Sequence, residues 1–98
     1  MGMEIKFTLQ VIEDVDSIYE HVSRDDECVA KKVLLQIEKM IEHIKEFPEF
    51  GKIGDVKKTR EITIPKLPFI IVYEIIDDVI YILTVLHTSR DPYQKYNK

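Results

Sequence analysis

At Pro48 the hydrophobic period of this 98-residue chain changes from helical to extended. From residue 10 up to it, apolar residues recur at steps of three and four. After it, they alternate or run together in strand-length stretches. Val11, Ile12, Val15, Ile18, Tyr19 and Val22 form one stripe over residues 10–22, with Glu13, Asp14, Asp16, Ser17 and Glu20 on the other side. A second stripe over residues 28–45 is made of Val29, Val33, Ile37, Met40, Ile41 and Ile44, with Leu34 at its edge. Thr8 is placed to cap the first helix. The polar run Ser23 to Glu27 breaks the pattern and caps the second. Proline lacks the donor a helix needs and restricts the residue before it, so the second helix stops ahead of Pro48.

Four extended segments complete the pattern. Glu4 to Leu9 alternates through Ile5, Phe7 and Leu9. Thr59 to Ile64 puts Arg60, Ile62 and Ile64 on one face and Thr59, Glu61 and Thr63 on the other. Phe69 to Ile75 follows a link bracketed by Pro65 and Pro68. Asp77-Asp78 is a hairpin turn signal, and Val79 to Leu86 is apolar enough for a central strand. The order β-α-α-β-β-β predicts an α+β fold, with a helical hairpin packed on one face of a small antiparallel sheet and the other face partly open to solvent. The length suits a single domain over residues 1–98.

Composition narrows the function classes. The hydrophobic share is 45% and the charged share 33%, ordinary for a globular chain. Cys28 is the lone cysteine, which excludes an internal disulfide and a cysteine-based zinc site, and its place in the apolar pattern reads as packing. His21 and His43 have no companion at ligand spacing, so no metal or cofactor is expected. No run approaches a membrane span and no signal segment is visible, which makes a cytoplasmic protein the expectation. Net charge is −4, but unevenly spread. Residues 10–49 carry a balance of −6, whereas segments 52–66 and 87–98 together carry +5. An anionic partner would meet the basic parts.

Four pieces in order resemble the RelE/ParE toxin superfamily. Ile44 to Gly51 is similar to its Leu-x-x-x-Pro-x-x-Gly ending of the helical pair. Thr59-Arg60-Glu61-Ile62 matches an arginine that opens a strand, and Phe69-Ile70-Ile71-Val72-Tyr73 matches an aromatic-rich strand. Val85-Leu86-His87 followed by Arg90-Asp91 looks like the ending of the ParE, or plasmid-stabilisation, branch. The resemblance covers Ile5 to Tyr93 and implies the toxin of a type II toxin–antitoxin pair, held inactive by an antitoxin protein. It leaves two targets open. ParE-like members act on DNA gyrase by binding, whereas RelE-like members cut mRNA on the ribosome without a metal.

The nuclease alternative would need a proton acceptor, a phosphate clamp and a proton donor. Arg60, His87 and Tyr93 are the candidate set, and Lys57, Lys58, Arg60 and Arg90 are candidates for nucleic-acid or target binding. Simple alternation places His87 on one strand face with Tyr81, Leu83 and Val85, where a structural role competes with a catalytic one. A homodimer through a sheet edge is the remaining partner expectation.

Overall fold

The computed structural model describes residues 3–54, 56 and 58–88. Strand β1 (Glu4–Phe7) leads into helix α1 (Leu9–Ser23) and helix α2 (Glu27–Glu46). Strands β2 (Lys52–Ile53), β3 (Thr59–Thr63), β4 (Phe69–Ile76) and β5 (Val79–His87) follow. The caps lie where the residue types call for them. Thr8 Oγ1 accepts from the Val11 N–H at 3.1 Å, and Asp26 Oδ1 accepts from the Val29 N–H at 3.2 Å. α2 ends one residue before Pro48's own neighbour, Phe47, whose N–H reaches the His43 carbonyl.

The sheet order is β1-β5-β4-β3-β2. β2–β3, β3–β4 and β4–β5 are antiparallel, but β1 runs parallel to β5, so the sheet is mixed rather than wholly antiparallel. Hairpins force neighbouring strands to oppose. β1 reaches β5 only after the rest of the chain has passed, so no tight turn imposes that sense on it. β2 is a two-residue strand that the sequence pattern does not announce, held by pairing of Ile53 with Arg60.

Ile62, Ile71 and Val85 line up across three strands, and this row meets Val11 of α1 and Val33, Ile37 and Ile44 of α2 in one cluster. The helical hairpin therefore covers one face. The alternate positions Val72 and Leu86 are buried as well, so the other face is less open than alternation alone implies. Cys28, expected to pack, is exposed. It sits in the first turn of α2, ahead of where the buried line begins at Ala30. Tyr19 is only half-buried, its hydroxyl 3.3 Å from Glu27 Oε2.

The β3–β4 link closes tightly, with the Ile64 N–H donating to the Phe69 carbonyl and Lys66 held at φ 66°. That left-handed backbone strains an L-residue by about 1–2 kcal/mol, while glycine costs about 0.5–1 kcal/mol in extra unfolded-state freedom. Lys66 is exposed, so Lys66→Gly is expected to raise stability by about 0.5 kcal/mol, a thermal midpoint gain of about 2–4 °C readable by calorimetry.

Candidate functional site

The turn after α2 is fixed from beneath by one buried tyrosine. Tyr73 on β4 is fully buried, and its hydroxyl donates to the Pro48 carbonyl at 2.8 Å and accepts from the Gly51 N–H at 3.0 Å. Burial pushes its pKa above the usual 10.0, opposed by the Gly51 N–H and by the nearby Arg60 charge. Arg60 lies directly across the β3–β4 pair from Tyr73. Its Nη1 donates to the Gly51 carbonyl at 2.8 Å and to the Glu49 carbonyl at 3.3 Å. The arginine singled out as a phosphate clamp is thus bound to the backbone of residues 49–51.

His87 stands at the far end of the same sheet. It pairs with Phe69, and the two rings meet edge to face with centroids 5.7 Å apart. Phe69 and Tyr73 are four residue steps apart on β4, so His87 and Arg60 differ by about 13 Å along the strands and about 9.5 Å across them. One phosphate cannot bridge that gap. Of the other candidates, Lys58 is exposed with φ 70° in the turn before β3. Lys57, Arg90 and Tyr93 lie outside the described residues.

The expected face of His87 also changes. β4 and β5 slip register between Val72, which pairs with Thr84, and Tyr73, which pairs with Ile82, so Leu83 is the extra residue of a bulge. Past that bulge the parity of β5 inverts. His87 and Val85 share their face with Ile82 and Ile80, not with Tyr81 and Leu83. The bulge is held by Asp14, a residue that the helix pattern assigns to the polar side of α1. Its carboxylate is buried and accepts from the Thr84 hydroxyl and from the Val85 N–H, the latter at 3.1 Å. Gln10 Nε2, one turn back, donates to the other oxygen at 2.8 Å.

Between the closed end of the helical hairpin and this end of the sheet lies a groove of about 750 Å³. Ile18, His21 and Val22 of α1, Val29 of α2, and Phe69 and His87 of the sheet are among its walls. It is mainly apolar with a few polar groups, a form suited to the apolar face of a peptide segment. Among the described residues no three His, Cys, Asp or Glu are grouped to hold a metal ion, and no helix is long and apolar enough to cross a membrane.

Residues 5–92 match the family described as ParE toxin of type II toxin-antitoxin system, parDE. The chain belongs to the ParE toxin family. A curated relative from Sinorhizobium fredii, named "Putative toxin Y4kP", is 36% identical over 86 residues, covering 88% of each chain. The toxin fold recurs in a structure titled as the chromosomal ParDE TA system from P. aeruginosa. There the TM-score is 0.80 at 24% identity, over 88% of this chain and 96% of that one. It recurs more distantly in the intact E. coli RelBE toxin–antitoxin complex, with a TM-score of 0.65 at 17% identity, over 91% of this chain and 100% of that one. This ParE-family chain is therefore the toxin component of a type II system, and its α+β architecture is that of the wider RelE/ParE fold.

Proposed function

We propose that this ParE-family toxin works by binding a cellular protein, DNA gyrase being the target that the family resemblance implies, and that a cognate antitoxin protein silences it in the cytoplasm. The carrying observation is the engagement of Arg60. A side chain bound to two carbonyls of the 49–51 turn, about 13 Å along the sheet from His87, supports a structural role for both residues rather than a shared phosphate site. The charge balance agrees. The helical half at −6 is poorly suited to an RNA-rich surface.

The groove at the closed end of the hairpin is the docking place that fits an antitoxin segment. Such a segment would order on binding and lay apolar side chains against Val22, Val29 and Phe69. The free protein could alternatively pair through the β1 or β2 edge as a homodimer.

Inducing the chain alone is expected to arrest growth, and the purified protein to block gyrase supercoiling while translated mRNA stays intact by primer extension. His87→Ala is expected to leave that arrest in place, because the ring packs edge to face on Phe69 and stands apart from Arg60. Codon-dependent cuts in mRNA, abolished by His87→Ala in a folded protein, would establish the ribosome-dependent nuclease instead, with Arg60, His87 and Tyr93 as its candidate residues.

A further inference from the structure

The 47–51 turn does more than end α2. It holds two phenylalanine rings in solvent, Phe47 at 52% and Phe50 at 64% exposure. Seven contacts hold the turn and its rings. Tyr73 makes two hydrogen bonds to the turn and Arg60 two more, all from side chains rooted in the sheet. The Phe50 N–H closes the turn on the Phe47 carbonyl at 3.0 Å. His43 backs both rings, its centroid 5.2 Å from Phe47 and 4.7 Å, edge to face, from Phe50. Large aromatic side chains presented on a fixed backbone bind with little ordering cost.

The same turn forms one wall of a groove of about 650 Å³, whose apolar floor includes Ile75. Its rim carries three carboxylates, those of Glu46, Glu49 and Asp77. Among the described residues none of its walls is a lysine or arginine. Aromatic faces beside carboxylates are complementary to guanidinium. The ring face attracts the cation and the carboxylate takes its planar fork. Lysine would gain the charge but not the stacking. Nucleic acid is excluded by the sign of the rim.

We propose that this groove docks an arginine-bearing, apolar segment of a partner protein, with Phe47 and Phe50 as its anchors and Glu46, Glu49 and Asp77 as its charge readers. The surface is separate from the groove at the closed end of the hairpin and shares no wall residue with it. Its occupancy is independent of whether the chain arrests growth, so a harmless protein would leave this binding site standing.

The probe is a fluorescein-labelled octapeptide alternating arginine with leucine, titrated with the full chain and followed by anisotropy. Saturable binding is expected. Phe50→Ser and the pair Glu46→Gln/Glu49→Gln are each expected to weaken it about tenfold, and a lysine-for-arginine peptide to bind less well. The matched-charge pair Glu13→Gln/Asp16→Asn, on exposed positions of α1, is expected to leave it unchanged. Thermal melts confirm folding, and the glutamine pair reads the site even if Phe50→Ser does not fold. Absence of saturable binding sinks the proposal, as does equal loss in the α1 pair, or equal binding of a glutamate-for-arginine peptide. A concentration-dependent dimer abolished by Phe50→Ser overturns it in favour of self-association through this face.

Discussion

Asp14→Ala is expected to destabilise the protein by about 3 kcal/mol, lowering the thermal midpoint by about 12 °C or more. Asp14 is 8% exposed, and its carboxylate receives the Thr84 hydroxyl, the Val85 N–H and the Gln10 amide. Alanine leaves the fully buried Thr84 and the Val85 N–H facing a void that their strand neighbours cannot fill. Each orphaned buried donor costs about 1–3 kcal/mol, against a total stability of about 5–15 kcal/mol for a domain of this size. Asp14→Asn should fall between the two, since one amide oxygen can still accept from Val85 while the charge is lost. Chemical denaturation of the three proteins measures the series. If Asp14→Ala melts with the parent, the carboxylate is not the clasp between α1 and β5.

That carboxylate marks where reading the sequence reaches its limit. The stripe Val11, Val15, Ile18 and Val22 correctly locates the inner side of α1, and Val11 is among the most buried residues. Asp14 lies beside that stripe, one turn from Val11 and Ile18, so geometry allows it to face inward. What brings it in is a demand made 70 residues later by the β5 bulge. A bulge inserts one residue with no compositional mark, and strict alternation through Val79 to Leu86 therefore gave His87 the wrong neighbours. The four longer strands, the hairpin at Asp77, the Thr8 and Asp26 caps and the stop before Pro48 rest on local physics and are legible without coordinates. The parallel pairing of β1 and the two-residue β2 are tertiary facts with no local signal. For the site, the family-like run ending in Gly51 flagged the turn, but an exposed arginine on a strand looks alike whether it clamps phosphate or carbonyls. The hydrogen bonds of Arg60 to the Glu49 and Gly51 carbonyls tell the two apart.

Gly51→Ala is expected to cost about 2–4 kcal/mol, and the loss is expected to shrink in a Tyr73→Phe background. A Cβ on Gly51 would stand 2.5 Å from Tyr73 Oη, 2.9 Å from its Cε1 and 3.0 Å from the Glu61 carbonyl oxygen. Tyr73 is enclosed on every side and cannot swing away. The turn must lift instead, breaking the hydroxyl's bonds to Pro48 and Gly51. Tyr73→Phe alone removes those bonds and is expected to cost about 2 kcal/mol, because the Pro48 carbonyl and Gly51 N–H lose a buried partner. With the oxygen gone the shortest contact disappears, so the double mutant should be more stable than the sum of the single losses predicts. The tyrosine also sets an alkaline limit. Its folded pKa lies above the unfolded value near 10, chiefly through burial, so the folded state holds the proton more tightly. That contribution is complete below pH 10 and is lost as pH rises through the folded pKa. Urea midpoints of the parent should therefore fall above pH 10 more steeply than those of Tyr73→Phe. Parallel curves would mean that folding does not shift the hydroxyl's ionisation and that its burial beneath the 47–51 turn adds no pH dependence.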